Sequence, residues 1–345
     1  MTLQTLLGIE LPIIQAPMAG VQDSALAVAV SNAGGLGSLP CAMLGFDDMR
    51  DELAAIKTQT DKPFNVNFFC HAAPIFNDEL EAAWREALSP YYKAYGINAE
   101  SIPIGSGRAP FSSEAVDVLE EFKPSVVSFH FGLPPVELLA RVKAMGAKIL
   151  CSATTVAEAR WLEAHGVDAI IAQGLEAGGH RGLFLSEDLS TQIGTFGLLP
   201  QIVREVKLPV IAAGGIADAK GVAAAMALGA AGVQAGTAYL LCPETTTSAV
   251  HRRALQSEAA HHTALTNLFT GRPARAIVNQ VMIEIGPIRT PMPAFPLAAG
   301  AIAPLRSKAE TQGSENFSSL WAGQNVSGCK EMPAGDLTRE LAIDL

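Results

Sequence analysis

Eight times between Ile13 and Ala235, a short apolar run breaks into glycine or a polar turn and gives way to a helix-forming stretch. The runs are residues 13–15, 35–39, 64–68, 126–129, 148–152, 169–173, 210–213 and 232–235. Their hydrophobicity is continuous, not alternating, as in strands covered on both faces, which implies a parallel sheet with crossover helices. Eight such units favour closure into a (β/α)8 barrel over an open doubly wound sheet. Helix-boundary signals fit the spacing. Thr155 and Glu158 have the spacing of a capping box with Gly166 as a stop, and Asp23 and Asp218 stand where helix caps belong.

The rhythm is interrupted twice. Residues 70–124 form a long insertion after the third run, helical around 78–87, and beyond Cys242 the βα alternation stops. We expect residues 1–242 to be the barrel domain. Residues 243–345, rich in proline at positions 287, 291, 293, 296 and 304, are expected to form a helical extension packed over the barrel mouth. Apolar residues at 49% and 31 glycines suit a large α/β core, and an aromatic share of 6% argues against a β-sandwich or a base-stacking surface. The net charge of −10, without a basic block, disfavours nucleic acid and anionic membranes as partners. The nearly uncharged segment 221–242 is punctuated by Gly229, Gly232 and Gly236 and reads as a buried helix and strand, not a membrane span. Five scattered cysteines without a CxxC pair argue against a disulfide framework or a zinc site, so no metal is expected. The first residues lack the basic and apolar regions of a signal peptide, and a cytoplasmic protein is the expectation.

In a barrel, residues just past the strand ends converge on one face. Here those are Ala16-Pro17-Met18, Asn67, His130, Gln173, Gly178-Gly179-His180, Gly214-Gly215 and Gln234-Ala235-Gly236-Thr237. Glycine turns after the last three strands expose backbone N–H groups that can wrap a phosphate. A glycine turn by itself is equally a tight loop, and Gly178-Gly179-His180 read alone is equally a turn with a surface histidine. Asn67 and Gln173 end apolar strands, where an amide needs partners; a polar heterocycle would supply them, and so would a loop carbonyl. His130 has the same two readings.

Together these stretches resemble the nitronate monooxygenase family. The resemblance rests on Gln15-Ala16-Pro17-Met18, Asn65-Val66-Asn67, Ser128-Phe129-His130-Phe131-Gly132, Glu176-Ala177-Gly178-Gly179-His180-Arg181-Gly182, Ala213-Gly214-Gly215-Ile216, Gln234-Ala235-Gly236-Thr237 and, in the tail, Leu320-Trp321-Ala322-Gly323-Gln324. It implies a TIM barrel holding FMN without a covalent bond, with dioxygen oxidising alkyl nitronates such as propionate 3-nitronate, and also nitroalkanes, to carbonyl compounds and nitrite. By the same resemblance Ala16, Pro17 and Met18 would lie against the flavin, and Asn67 and Gln173 would hydrogen-bond it. Gly178, Gly179, Gly214, Gly215 and Gln234, Ala235, Gly236 and Thr237 would hold its phosphate end. His180 corresponds to the family's active-site histidine. His130, Arg181 and Gln324 stand as candidate substrate contacts, Arg181 for a carboxylate.

Two other readings compete. FMN-dependent, NAD(P)H-using enoyl-acyl carrier protein reductases share the Glu-Ala-Gly-Gly-His and Ala-Ala-Gly-Gly-Ile stretches. The first-strand, fourth-strand and tail motifs favour the monooxygenase, as does the lack of a strand–GxGxxG–helix dinucleotide fingerprint. A flavin-binding barrel without catalysis is disfavoured by His180 beside intact glycine turns. The sequence leaves the oligomeric state open.

Overall fold

The computed structural model describes residues 2–103 and 108–345. Eight parallel strands form the barrel wall: Ile13–Gln15, Gly37–Pro40, Phe64–Phe69, Val126–His130, Lys148–Ala153, Ala169–Gln173, Val210–Ala213 and Gly232–Ala235. The first strand pairs with the eighth, Ile14 opposite Gln234. A single parallel bridge between Ile14 and Leu36 joins it to the second, so the sheet closes on itself. The second strand begins two residues later than the sequence suggests. A Cβ on Gly37 would sit 1.9 Å from the Ala27 carbonyl oxygen, so only glycine lets the neighbouring helix Ser24–Asn32 approach this closely.

The helices begin where side chains satisfy their first N–H groups. Asp23 accepts from Ala25 N at 2.9 Å and Asp218 from Gly221 N at 2.8 Å. Thr155 caps its helix through Glu158 N, but Glu158 does not return the bond as a capping box requires. Its buried carboxylate accepts instead from Thr154 N and Oγ1 and from Phe184 N, each at 2.7 Å, and ties this helix to the loop beyond the sixth strand.

The insertion lies partly outside the described residues, at 104–107. Its described part carries the helix Asp78–Tyr95, which packs against the tail helix Ala298–Thr311. Trp84 Nε1 donates to the Ala298 carbonyl at 3.0 Å and the Tyr92 hydroxyl to that of Ala301 at 2.6 Å. Trp84, Leu88, Tyr92, Ile302, Leu305 and Phe317 thus build a second apolar core beside the barrel. The tail adds two strands to the helices expected of it. Thr263–Thr266 and Ala274–Ile277 pair antiparallel, and Ala274 and Arg275 then pair with His180 and Gly179. Four-residue alternations of this kind are too short to stand out, and their partner lies about a hundred positions away. The final helix, Ala334–Leu341, returns to the barrel wall, where Thr338 Oγ1 meets the Tyr239 hydroxyl at 2.9 Å. Among the described residues, no helix is long and apolar enough to cross a membrane.

Candidate active site

At the carboxyl ends of the strands the loops enclose a cleft of about 1300 Å³, counting the part open to solvent. It is lined by Ala16, Pro17, Met18, Asn67, His130, Gln173, Gly178, Gly179, His180, Gly214, Gly215, Gln234, Ala235, Gly236 and Thr237. The converging strand ends therefore meet as barrel closure requires. Arg181 and Gln324 do not join them.

Arg181 is fully buried, and its guanidinium donates to the carbonyls of Gln173 at 2.8 Å and Gly174 at 2.7 Å and to Gln192 Oε1 at 3.0 Å. These bonds staple the loop from within, and the expected pairing with a substrate carboxylate is corrected accordingly. Gln324 is exposed and contributes its backbone, Gln324 N donating to the Glu176 carbonyl at 2.9 Å. Its neighbours complete a clamp over the glycine turns. Gly323 N donates to Thr237 Oγ1 at 2.9 Å and Asn325 Nδ2 to the Gly215 carbonyl at 3.0 Å.

The amides divide. Gln173 Nε2 donates to the His180 carbonyl at 2.9 Å, while its Oε1 accepts from Gly182 N at 2.7 Å. These two bonds tie the amide to the loop and leave its second Nε2 hydrogen without a hydrogen bond among the described residues, at a side chain that lines the cleft. Asn67 Nδ2 donates to the carbonyl and the hydroxyl of Ser128, and its Oδ1 makes no hydrogen bond among the described residues. Gln234 Oε1 is buried at the cleft wall without a donor. The first-strand loop is held by Gln22, whose Oε1 accepts from Gln15 Nε2 at 2.7 Å and Met18 N at 2.8 Å.

The glycines have different causes. A Cβ on Gly178 would stand 2.6 Å from the backbone of Ala322 and Gly323, so this glycine admits the tail. Gly214 and Gly215 have φ of +113° and +76°, a turn that L side chains resist. Among the described residues, the N–H groups of Gly215, Ile216, Gly236 and Thr237 find no protein acceptor. Two adjacent strand ends thus present bare donors to one corner of the cleft.

His180 lines the same cleft, ringed by Phe69, Phe131, Phe295 and Trp321 at centroid distances of 5.3 to 6.1 Å. Its Nε2 lies 2.9 Å from Thr270 Oγ1, and Nδ1 makes no hydrogen bond among the described residues. Burial, reinforced by Arg108, His130 and Arg272, holds its pKa well below the usual imidazole value, so the ring is neutral at pH 7. His130 is pushed down to about 3, chiefly by burial; it sits between Ser152 Oγ and the His180 carbonyl, at 3.0 and 3.2 Å, as a brace. Phe131 beside it has φ +70°, an uncommon conformation for a bulky residue, with the Arg272 guanidinium 4.1 Å over its ring. Thr270, Arg272, Phe295 and Arg108 were not legible as site residues. They come from the tail and insertion, and the Thr270–His180 bond spans 90 positions.

Fold and cleft define a barrel enzyme whose site is assembled at the carboxyl ends of its strands. A family model described as "Nitronate monooxygenase" matches residues 1–344, and the chain belongs to that family, whose members are oxidoreductases. A nitronate monooxygenase of Paraburkholderia phytofirmans is 44% identical, with 99% of this chain and 93% of that protein aligned. The crystal structure of a nitroalkane oxidase from Streptomyces ansochromogenes superposes with a TM-score of 0.90 at 40% identity, covering 99% of this chain and 97% of that one. FabK from Thermotoga maritima is more distant, at a TM-score of 0.74 and 29% identity over 99% and 94% of the two chains.

Proposed function

We propose that this enzyme binds FMN in the cleft and uses dioxygen to oxidise alkyl nitronates such as propionate 3-nitronate, and also nitroalkanes, to carbonyl compounds and nitrite. The observation that carries this reading is His180, with one ring nitrogen unengaged, lining the same cleft as a corner of bare backbone donors. The cleft suits the flavin. Gly215, Ile216, Gly236 and Thr237 would hold its phosphate through N–H groups, where Gly215 leaves no side chain in the way. Gln234 Oε1, a buried acceptor lacking a donor, and Asn67 Oδ1 would take hydrogen bonds from the ring system. Ala16, Pro17 and Met18 would form its apolar wall. When bound, FMN supplies electron acceptance from the substrate and delivery to dioxygen.

The chain's own residues handle the proton. A base must begin deprotonated, and Nε2 is bonded to Thr270, so Nδ1 is the atom that would take the α-proton of a neutral nitroalkane. For this, Nε2 carries its hydrogen and donates to Thr270 Oγ1, whose own hydrogen reaches the Arg272 carbonyl at 3.4 Å. Phe69, Phe131, Phe295 and Trp321 surround the imidazole, and Gln173 and His130 orient it through its backbone carbonyl. A nitronate arrives without that proton and asks of His180 only binding. The five cysteines are free, as a reducing, cytoplasmic setting would keep them. Oxygen uptake on adding an alkyl nitronate to the purified protein, with no nicotinamide present, tests the reading; its absence would overturn it.

A further inference from the structure

The cleft wall holds a polar atom that neither the fold nor the proton transfer uses. Helix Ala249–Leu255 buries Val250, His251, Ala254 and Leu255. Ala254 and Leu255 pack into an apolar cluster with Leu240, Leu320 and Ala322. His251, on the same face, instead lines the cleft with Val21, Leu240 and Trp321. It is 4% exposed, and its Nε2 is enclosed without a hydrogen bond among the described residues.

A leucine or phenylalanine at this position would fill the space without leaving a buried polar atom unmet, so the imidazole calls for a partner. Burial lowers its pKa to about 4, against a rise from the Trp321 backbone, and the ring is neutral at pH 7. A neutral Nε2 donates or accepts according to tautomer, and a hydroxyl, which does both, meets either one. The surroundings say whose hydroxyl. Arg252 pins the helix by donating to the carbonyls of Leu241 at 2.9 Å and Cys242 at 2.8 Å. That segment follows one short turn in which Tyr239 N donates to the Gly236 carbonyl at 2.9 Å and Leu240 N to that of Thr237 at 3.1 Å. The turn starts at the bare donors that would hold the flavin phosphate. His251 therefore borders the stretch of cleft next to that corner, and the polyhydroxyl chain that leads from the phosphate to the flavin ring starts from the same corner.

We propose that His251 is a further cofactor contact, its Nε2 hydrogen-bonded to a hydroxyl of the ribityl arm of FMN. The tail thereby takes part in holding a cofactor that the strand-end loops otherwise grip. This rests on the flavin reading above.

The test equilibrates the full-length wild type, His251→Phe and His251→Gln by dialysis against FMN and against riboflavin, which keeps the ribityl hydroxyls and lacks the phosphate. His251→Phe should weaken both flavins by the same factor, roughly 3- to 10-fold, as for loss of one uncharged hydrogen bond. His251→Gln should recover part of it, since its amide also donates and accepts. The visible spectrum of the bound flavin should stay where it is, because the ring is not the partner. Weakening of FMN alone would put His251 at the phosphate, and a shifted spectrum would put it at the ring; either result overturns the ribityl contact, as unchanged affinities do. Thermal unfolding separates a ligand contact from a packing role. Without flavin, His251→Phe removes an unmet nitrogen and should hold or raise the Tm, whereas the flavin-loaded Tm should fall. Equal falls in the two forms would assign His251 to packing and overturn the contact. If the wild type binds neither flavin, the flavin reading fails and this inference falls with it; flavin binding that both substitutions leave unchanged overturns this inference alone.

Discussion

Gln173 holds His180 by its backbone: the amide donates to the His180 carbonyl at 2.9 Å and accepts the Gly182 N–H at 2.7 Å. A side chain at the end of the sixth strand thereby converts the rigidity of the barrel into a fixed position for an imidazole on a loop. The tail strand Ala274–Ile277 grips the same loop from the other side. Gln173→Leu leaves the Gly182 N–H unmet and the His180 carbonyl with His130 as its one remaining partner, at about 1–3 kcal/mol. We expect a folded protein that retains its flavin, with kcat reduced by about tenfold as His180 loses its register. Steady-state kinetics beside flavin absorbance check this; loss of flavin with unchanged kcat per bound flavin would contradict it.

His180→Asn separates proton removal from binding. Turnover of neutral nitroalkanes should fall by roughly 10²–10⁴-fold, the range for loss of a general base, and that of preformed nitronates by much less. Equal losses on the two substrates would assign His180 to binding alone.

Acid should destabilise the protein through its buried histidines. Burial is the leading cause that lowers His71 to about 4, His130 to about 3 and His251 to about 4, from 6.5. Their folded pKa values lie below the unfolded ones, so the unfolded chain binds more protons across this interval. Their contribution is whole above pH 6.5 and is lost as pH falls toward 3. Thermal unfolding followed from pH 7.5 to 4.5 should show a falling Tm; a flat profile would count against neutral burial of these rings.

Two glycines should fail differently. Gly178→Val would drive a side chain into Ala322 and Gly323, 2.6 Å from the Cβ position, and loosen the tail, which limited proteolysis reads. Gly215→Val strains a turn at φ +76° and crowds the bare donors, so it should reduce bound FMN while the tail stays protected. Identical behaviour of the two variants would refute this division.

The barrel was legible because continuous apolar runs bounded by glycines and caps report locally on buried parallel strands. Ala169–Gln173, Val210–Ala213 and Gly232–Ala235 have the bounds their residues imply. The cleft wall followed, since closure brings strand ends together. What the residues did not reveal depends on distant chain segments. Arg181 reads as a candidate ligand, yet faces inward to carbonyls of its own loop. Gln173 reads as a cofactor contact, and also satisfies the backbone around His180. Thr270, Phe295 and Arg108 carry no local signal because their partners are set by how the tail and insertion dock.

The central claim, oxidation of nitronates by dioxygen, meets its most direct test in a two-arm assay on one preparation. In the first arm, an alkyl nitronate and dioxygen are mixed with the enzyme without NAD(P)H, and nitrite is measured. In the second, NADPH and a crotonyl thioester are supplied, and consumption of both is followed. The account predicts dioxygen-dependent nitrite release in the first arm and no coupled consumption in the second. Rapid NADPH-dependent loss of the thioester, with no nitrite from the nitronate, would contradict it and identify an enoyl reductase.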